Sequence, residues 1–173
     1  MVKEGENLIL VGPMGVGKST IGRRLARATG RRFVDSDAEI ESRTGVEIDR
    51  IFEIEGEAGF RQRESRMLKE LVELRNVVLA TGGGVVLDEG NRALLRSSGF
   101  VIYLRAEPEI LTRRTMRDRK RPLLNSGDRM TRIIEILEQR EALYREVADC
   151  IVDTGEGSLQ KSVEAICQEV GLR

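Results

Sequence analysis

The chain has 173 residues, a length that suits one compact domain, and 40% of them are hydrophobic, enough for a substantial core. Lysine plus arginine and aspartate plus glutamate both number 29, so the net charge is zero and no overall field attracts nucleic acid or a membrane. Histidine is absent, which excludes histidine-based triads, histidine general bases and most zinc sites.

Apolar runs alternate with segments of helical periodicity along the chain. The predicted strands cover 7–12, 31–35, the start of 76–84, 100–104 and 150–154. The predicted helices cover 17–28, 38–54 with a break near Gly45, 57–74, 88–98, 108–119, 128–148 and 158–170. Five short apolar strands separated by helices predict an α/β fold with a parallel, doubly wound sheet.

The sequence favours a cytoplasmic location. The N-terminus lacks the basic and apolar segments of a secretory signal, and no apolar run approaches the roughly 18 residues of a membrane span. Cys150 and Cys167 are far apart and form no Cys-x-x-Cys pair, so we expect two buried thiols in a reducing compartment.

The segment GPMGVGKS, residues 12–19, fits the phosphate-binding pattern G-x-x-x-x-G-K-S and follows a predicted strand. Its glycines let backbone N–H groups turn toward a triphosphate, and the following helix N-terminus adds positive potential. Lys18 is expected to contact the β- and γ-phosphates, and to face solvent when no ligand is bound. The Ser19 hydroxyl can ligate Mg²⁺, and Thr20 should lie nearer the α-phosphate. A plain glycine-rich turn is the alternative.

Two sequence motifs that GTPases require are absent from the chain, which excludes that class of phosphate-loop protein. A GTPase needs Asn-Lys-x-Asp for guanine and Asp-x-x-Gly for its switch, and neither pattern occurs. The chain is also short for a motor ATPase. A small kinase is therefore the economical interpretation.

Two carboxylates follow the second predicted strand, where ligands bind in open α/β sheets. In the segment DSD, Asp35 can reach a hydrated Mg²⁺, while Asp37 can face an acceptor hydroxyl, orient it and take its proton. A helix follows at once, so an N-cap role is the competing interpretation for both residues.

Two arginines are candidates for binding an anionic acceptor. Arg61 and Glu64 lie three residues apart on one predicted helix, so they share a face. Either Glu64 holds the Arg61 guanidinium in place for a ligand, or the two residues form a surface ion pair. Arg140 falls within an apolar stripe of the long helix, and a buried arginine needs either a structural carboxylate or a bound anion. Two converging guanidinium groups would suit a ligand carboxylate.

Two further segments have competing interpretations. The TGGG turn after the third strand either lets the backbone approach a ligand closely or serves only as a turn. Residues 113–125, rich in arginine, can fold over phosphates as a lid, and the alternatives are a solvated face or a nucleic-acid patch.

Six motifs in order make the chain resemble the shikimate kinase family over essentially its whole length: GPMGVGKST, DSD, FRQRE, GGG, RPLL and REALY. The resemblance implies the three-layer fold of nucleoside-monophosphate kinases, with a five-stranded parallel sheet of order 2-3-1-4-5 flanked by helices, and a mobile lid. It also implies an enzyme that uses ATP and Mg²⁺ to phosphorylate the 3-hydroxyl of shikimate, in the pathway to chorismate and the aromatic amino acids.

The resemblance also implies roles for individual residues. The expected ATP contacts are Gly15, Val16, Gly17, Lys18, Ser19, Thr20, Arg114 near the adenine and Arg121 on the phosphates, with the 154–158 loop at the edge of the adenine. The expected metal site is Ser19 and Asp35. The expected shikimate contacts are Asp37, Arg61, Glu64, Gly83 and Arg140. Lys18, Asp37 and Arg121 form the expected catalytic set.

The same resemblance sets the expected organisation. The chain should be one kinase domain over residues 1–173, with an acceptor-binding region at about 35–64 and a lid at about 115–126. It should act as a monomer on shikimate and ATP, without nucleic acid or membrane partners. The alternatives are a gluconate or nucleoside-monophosphate kinase of the same fold, and a nucleotide-binding module that has lost catalysis.

Overall fold

The computed structural model describes residues 2–118, 120–124, 127–155 and 157–172. Five parallel strands form one sheet in the order β2-β3-β1-β4-β5, which confirms the expected order. Its strands are β1 Asn7–Val11, β2 Arg32–Asp35, β3 Val77–Ala80, β4 Gly99–Arg105 and β5 Cys150–Asp153. Asp35 pairs with Ala80, and Ala80 pairs with Leu10. The loops that follow β2, β3 and β1 therefore lie side by side at the carboxyl ends of the strands.

Seven helices cover the two faces of the sheet within the described ranges. They are α1 Lys18–Thr29, α2 Ser36–Thr44, α3 Ile48–Leu71, α4 Glu89–Ser98, α5 Pro108–Thr115, α6 Arg129–Val147 and α7 Leu159–Glu169. Short 3-10 turns lie at Val85–Leu87 and Pro122–Leu124. None of the helices in this part of the chain combines the length and apolar character that crossing a membrane requires.

The core forms on both faces of the sheet because alternate side chains of a strand point in opposite directions. Leu8 and Leu10 of β1 belong to one buried cluster, together with residues of α1 and α7. Ile9 and Val11 belong to the other, together with residues of α3 and α6. All five residues of β1 are buried, as expected for a central strand of a parallel sheet covered on both faces.

Three local features differ from the sequence-based expectation. The break near Gly45 separates two helices, and α3 then runs on through a kink at Gly56, where φ is 71°. Helix α5 ends at Thr115, four residues earlier than predicted. Cys150 and Cys167 are free, but both are half-buried rather than buried, because each lies at the margin of the core.

Candidate active site

The phosphate-binding loop connects β1 to α1, and glycine is required at its sharp turns. Gly12, Gly15 and Gly17 have φ values of 146°, 82° and 101°, a region that side chains disfavour. A Cβ on Gly12 would also collide with the carbonyl oxygen of Leu104. The loop can therefore curl tightly against β4 at the start of α1.

Lys18 was expected to face solvent, but it is half-buried and bonded to this loop. Its Nζ donates hydrogen bonds to the carbonyl oxygens of Gly12 at 2.6 Å and Pro13 at 2.9 Å. The pKa of Lys18 is lowered to about 7, chiefly by burial and also by the charge of Arg121, while the charge of Asp37 opposes the shift. The amine is thus held in place before any anion binds, because the loop's carbonyl groups compensate for lost hydration.

Asp35 serves as a helix cap and also contacts the phosphate-binding loop. Its Oδ1 accepts hydrogen bonds from the backbone amides of Asp37 at 3.0 Å and Ala38 at 3.1 Å, which caps α2. Its Oδ2 accepts a hydrogen bond from the Ser19 hydroxyl. The cap and the functional interpretation are therefore compatible, since each uses a different carboxylate oxygen.

Asp37 lies beside two other carboxylates at the edge of the sheet. Its Oδ1 is buried and has no hydrogen-bond partner within the described ranges. The pKa of Asp37 is raised to about 6, chiefly by burial and also by the charges of Glu64 and Asp35, while the charge of Lys18 opposes the shift. A Cβ on Gly82 would collide with Glu64 and lie 3.0 Å from Asp37 Oδ1, so glycine allows this close approach.

Arg61 and Glu64 form a partly buried pair rather than a surface ion pair. Arg61 Nη1 lies 2.9 Å from Glu64 Oε1, and the Glu64 side chain is only 2% exposed. Burial raises the pKa of Glu64, and the charge of Arg61 opposes that shift. Arg61 also contacts Gly84 so closely that a Cβ there would collide with the guanidinium. The pair thus lies against the glycine turn.

Arg140 is buried on α6, with 3% of the residue exposed. No carboxylate within the described residues forms an ion pair with it, and its Nε and Nη1 have no hydrogen-bond partner there. A Cβ on Gly83 would lie 3.7 Å from Arg140 Nη1. A buried guanidinium that forms no ion pair with a described carboxylate is costly, so this geometry favours a ligand anion over a structural carboxylate.

Two cavities meet at these residues. One, of about 340 Å³, holds the acidic and arginine cluster between α2, α3 and α6; its lining includes Asp37, Arg61, Glu64, Gly83 and Arg140. The other, of about 490 Å³, follows the phosphate-binding loop; its lining includes Gly15, Val16, Gly17, Lys18, Ser19, Thr20 and Arg114. Both are lined by Met14, Ser19, Asp35, Asp37, Gly82, Gly83 and Arg121. Molecules in the two cavities would therefore meet beside Asp37 and Arg121.

Comparisons with known proteins identify the family. The family model described as shikimate kinase matches residues 14–171. The chain belongs to the shikimate kinase family. It is 57% identical over 164 residues to the shikimate kinase of Nitrosococcus oceani, a match that covers 95% of this chain and 84% of that protein.

Solved structures of the shikimate kinase family have the same fold. The structure of shikimate kinase from Acinetobacter baumannii in complex with shikimate has a TM-score of 0.92 at 46% identity, covering 94% of this chain and 91% of that one. A gluconokinase from Sinorhizobium meliloti has a TM-score of 0.66 at 20% identity, over 96% and 92% of the two chains. That second likeness shows the fold alone.

Arg114 and Arg121 flank the second cavity from the segment that follows β4. Arg114 Nη2 donates to the Thr154 carbonyl oxygen at 2.6 Å, and its Nη1 donates to the Val16 carbonyl oxygen at 3.3 Å. Arg121 Nε donates to Asp118 Oδ2 at 2.7 Å. Arg114 thus links the phosphate-binding loop to the 154–158 loop. Of the expected lid and that loop, Arg119, Asn125, Ser126 and Glu156 lie outside the described residues.

Sequence reasoning missed the apolar part of the first cavity. Ile48, Phe52, Phe60 and Leu123 contribute to its lining. In the sequence, Ile48, Phe52 and Phe60 cannot be distinguished from core residues of α3, and Phe60 is indeed 4% exposed. The one signal in the sequence was that Phe60 precedes Arg61 in the FRQRE motif. These side chains give the cavity an apolar part beside its charged groups, since the Arg61 guanidinium lies 5.3 Å from the centroid of the Phe60 ring.

Proposed function

We propose that this chain transfers the γ-phosphate of ATP to the 3-hydroxyl of shikimate, giving shikimate 3-phosphate and ADP. The observation that carries the proposal is the meeting of the two cavities at Asp37 and Arg121, with Arg140, which forms no ion pair among the described residues, buried in one of them. Membership in the shikimate kinase family supports the same activity. The Acinetobacter baumannii relative, whose structure is a complex with shikimate, supports the choice of acceptor.

The acceptor cavity matches the chemistry of shikimate. Arg61 and Arg140 bring two guanidinium groups to one cavity, and a carboxylate accepts two-pronged hydrogen bonds from such groups. Phe52 and Phe60 offer an apolar wall to the carbon ring. We infer that the carboxylate binds between the arginines and that Gly83 contributes its backbone. Glu64 then fixes the Arg61 guanidinium through the 2.9 Å contact.

The second cavity matches ATP, the co-substrate of the family. The backbone of residues 15–20 surrounds the phosphates, and Lys18 exchanges its carbonyl partners for β- and γ-phosphate oxygens. Arg121 borders both cavities, so it can neutralise the charge that develops on the transferred group. Arg114 borders the other end, where we infer that the adenine binds.

Asp37 is the residue best placed to act on the acceptor hydroxyl. Its Oδ1 has no protein partner among the described residues, and it borders both cavities. A carboxylate whose pKa is raised to about 6 remains mostly ionised at neutral pH and is a better proton acceptor than an ordinary aspartate. We infer that it orients the hydroxyl and accepts its proton as the phosphoryl group transfers.

The residues at Ser19 and Asp35 fit a magnesium ion bound together with ATP. Magnesium prefers oxygen ligands, and in kinases it is held by one or two protein groups plus phosphates and waters. The hydroxyl of Ser19 and the Oδ2 of Asp35 are adjacent oxygen donors beside the phosphate-binding loop. No group of three or more His, Cys, Asp or Glu side chains that could hold a metal ion exists in the described part of the chain. When bound, magnesium would offset the negative charge of the triphosphate.

The wider organisation follows from the same activity. We propose a single kinase domain over residues 1–173, with the acceptor region at about 35–64 and the lid at about 115–126. We further propose that the enzyme works as a cytoplasmic monomer, without nucleic acid or membrane partners. The zero net charge supports the absence of an electrostatic attraction to either.

A coupled assay of ADP release tests the proposed function. The acceptors to compare are shikimate, gluconate, AMP and none, each with saturating ATP and Mg²⁺. We expect turnover with shikimate alone, and turnover with gluconate or AMP alone would overturn the proposal. Lys18→Ala is the matched control, because it removes the charge on the β- and γ-phosphates, so its turnover should collapse. Activity near that of the wild type in this variant would contradict the role of the phosphate-binding loop.

A further inference from the structure

The glycine turn of the acceptor cavity is held by a tyrosine to which the mechanism assigns no role. The hydroxyl of Tyr144 donates a hydrogen bond to the carbonyl oxygen of Gly83. Tyr144 is fully buried and stacks on Tyr103, with ring centroids 5.1 Å apart. It lies on α6 one turn after Arg140, whose Nη1 would lie 3.7 Å from a Cβ on Gly83. One helix thus contributes both an arginine and a hydroxyl to the same glycine.

Side chains of α4 hold the next carbonyl groups of this segment. The Asn91 side-chain amide donates to the carbonyl oxygen of Val85 at 3.0 Å, and Arg92 Nη1 donates to that of Val86 at 2.8 Å. Backbone amides of the same segment close the turn on the carbonyl oxygens of Gly82 and Gly84, both at 3.1 Å. The carbonyl side of the turn is therefore fully occupied by protein donors.

The amide side of the same turn is free. Within the described ranges, no group accepts a hydrogen bond from the backbone N–H of Gly82, Gly83 or Gly84, and all three residues line the acceptor cavity. Buried amides normally find partners, so a turn with satisfied carbonyls and free amides is suited to receive an anion. Because a peptide is planar, fixing a carbonyl also fixes the N–H of the next residue. The Gly83 carbonyl thus determines the direction of the Gly84 amide.

We propose that Tyr144 is a positioning residue of the acceptor site. Its hydroxyl fixes the peptide that follows Gly83, so that the turn keeps its free amides aimed into the cavity, where they bind an oxygen of shikimate beside Arg140. Without that hydrogen bond the peptide can rotate, because glycine imposes little restraint of its own. The proposal rests on the proposed function, whose own test is turnover of the wild-type enzyme with shikimate.

Tyr144→Phe tests the proposal because it keeps the ring and removes only the hydroxyl. The expected result is a rise of about 3- to 10-fold in KM for shikimate, the range set by one ordinary hydrogen bond. KM for ATP and kcat should change less than about 2-fold, since the lost interaction acts equally before and during transfer. Combined with Arg140→Lys, the effect on KM should be non-additive, because both residues act on one turn.

Tyr103→Phe is the matched control. It removes the hydroxyl of the other ring in the same stacked pair, and among the described residues that hydroxyl makes no hydrogen bond to the glycine turn. The control should leave KM for shikimate unchanged, while urea unfolding reports any loss of stability in either variant. A Tyr144→Phe enzyme that is less stable but has normal KM for shikimate would overturn the proposal, as would an equal rise in KM for both substrates. Either failure would leave wild-type shikimate turnover, and hence the proposed function, intact.

Discussion

Replacing Asp37 by asparagine should make the protein more stable while nearly abolishing its activity. The carboxylate lies beside Glu64 and Asp35, and its buried Oδ1 has no hydrogen-bond partner within the described residues. Ionised Asp37 is therefore less favourable in the folded protein than in the unfolded chain. Asparagine keeps the shape and removes the charge, so it relieves that repulsion.

The size of the effect follows from the raised pKa. Asp37 has a pKa of about 6 against an ordinary value of 3.8. A shift of about two units corresponds to roughly 3 kcal/mol of free energy. The residue as a whole keeps some contact with water, so we expect about 1–3 kcal/mol, with solvent screening reducing the full value. For a domain of this size that is several degrees in Tm.

The sign of the effect changes with pH in a defined way. Because the pKa of Asp37 is raised in the folded protein, its contribution to the free energy of unfolding is fully present below the unfolded pKa of 3.8. That contribution is lost as pH rises through the folded pKa of about 6. The advantage of Asp37→Asn should therefore be largest above pH 7 and should shrink to nothing near pH 4. Activity should fall by about 10²- to 10⁴-fold if the carboxylate accepts the proton of the hydroxyl.

Urea unfolding at pH 8 and pH 5, followed by circular dichroism, measures the stability difference. Asp153→Asn is the matched control, because its carboxylate is 55% exposed and it borders neither cavity. The control should show no comparable gain at either pH. If Asp37→Asn is equally or less stable than the wild type at pH 8, the argument from burial and repulsion is wrong. If it keeps normal kcat, its catalytic role is wrong.

Four further predictions concern charged residues at the two cavities and the lid. Arg140→Lys keeps the charge but loses the two-pronged contact, so KM for shikimate should rise at least about 30-fold; steady-state kinetics that show an equal rise for ATP would contradict this. Asp35→Asn should regain activity as the Mg²⁺ concentration is raised, and Asp37→Asn should not. If a Mg²⁺ titration restores Asp37→Asn instead, Asp37 contacts the metal and Asp35 the acceptor hydroxyl. Arg121→Ala should lower kcat more than it raises KM for shikimate. Hydrogen exchange of 115–126 should slow on adding ADP, Mg²⁺ and shikimate, and unchanged exchange would contradict the lid.

The sequence by itself determined the parts of this protein that depend on neighbouring residues. The glycine spacing of residues 12–17 predicts a tight loop between strand and helix, and all three of its glycines have the positive φ values that other residues avoid. The alternation of apolar runs predicts the parallel sheet, because a buried strand must be apolar on both faces. The apolar stripe of α6 likewise predicts the burial of Arg140, which is 3% exposed.

Only the tertiary structure decided which groups distant in sequence come into contact and which of them have hydrogen-bond partners. The sequence left Arg61 and Glu64 equally consistent with a surface ion pair, and burial of Glu64 against the glycine turn depends on how α3 packs on the sheet. Lys18 bonds to carbonyl groups that only the curled loop brings within reach. The Tyr144 hydroxyl and Gly83 are 61 residues apart. Such contacts depend on the register of strands and helices, which local sequence patterns do not specify.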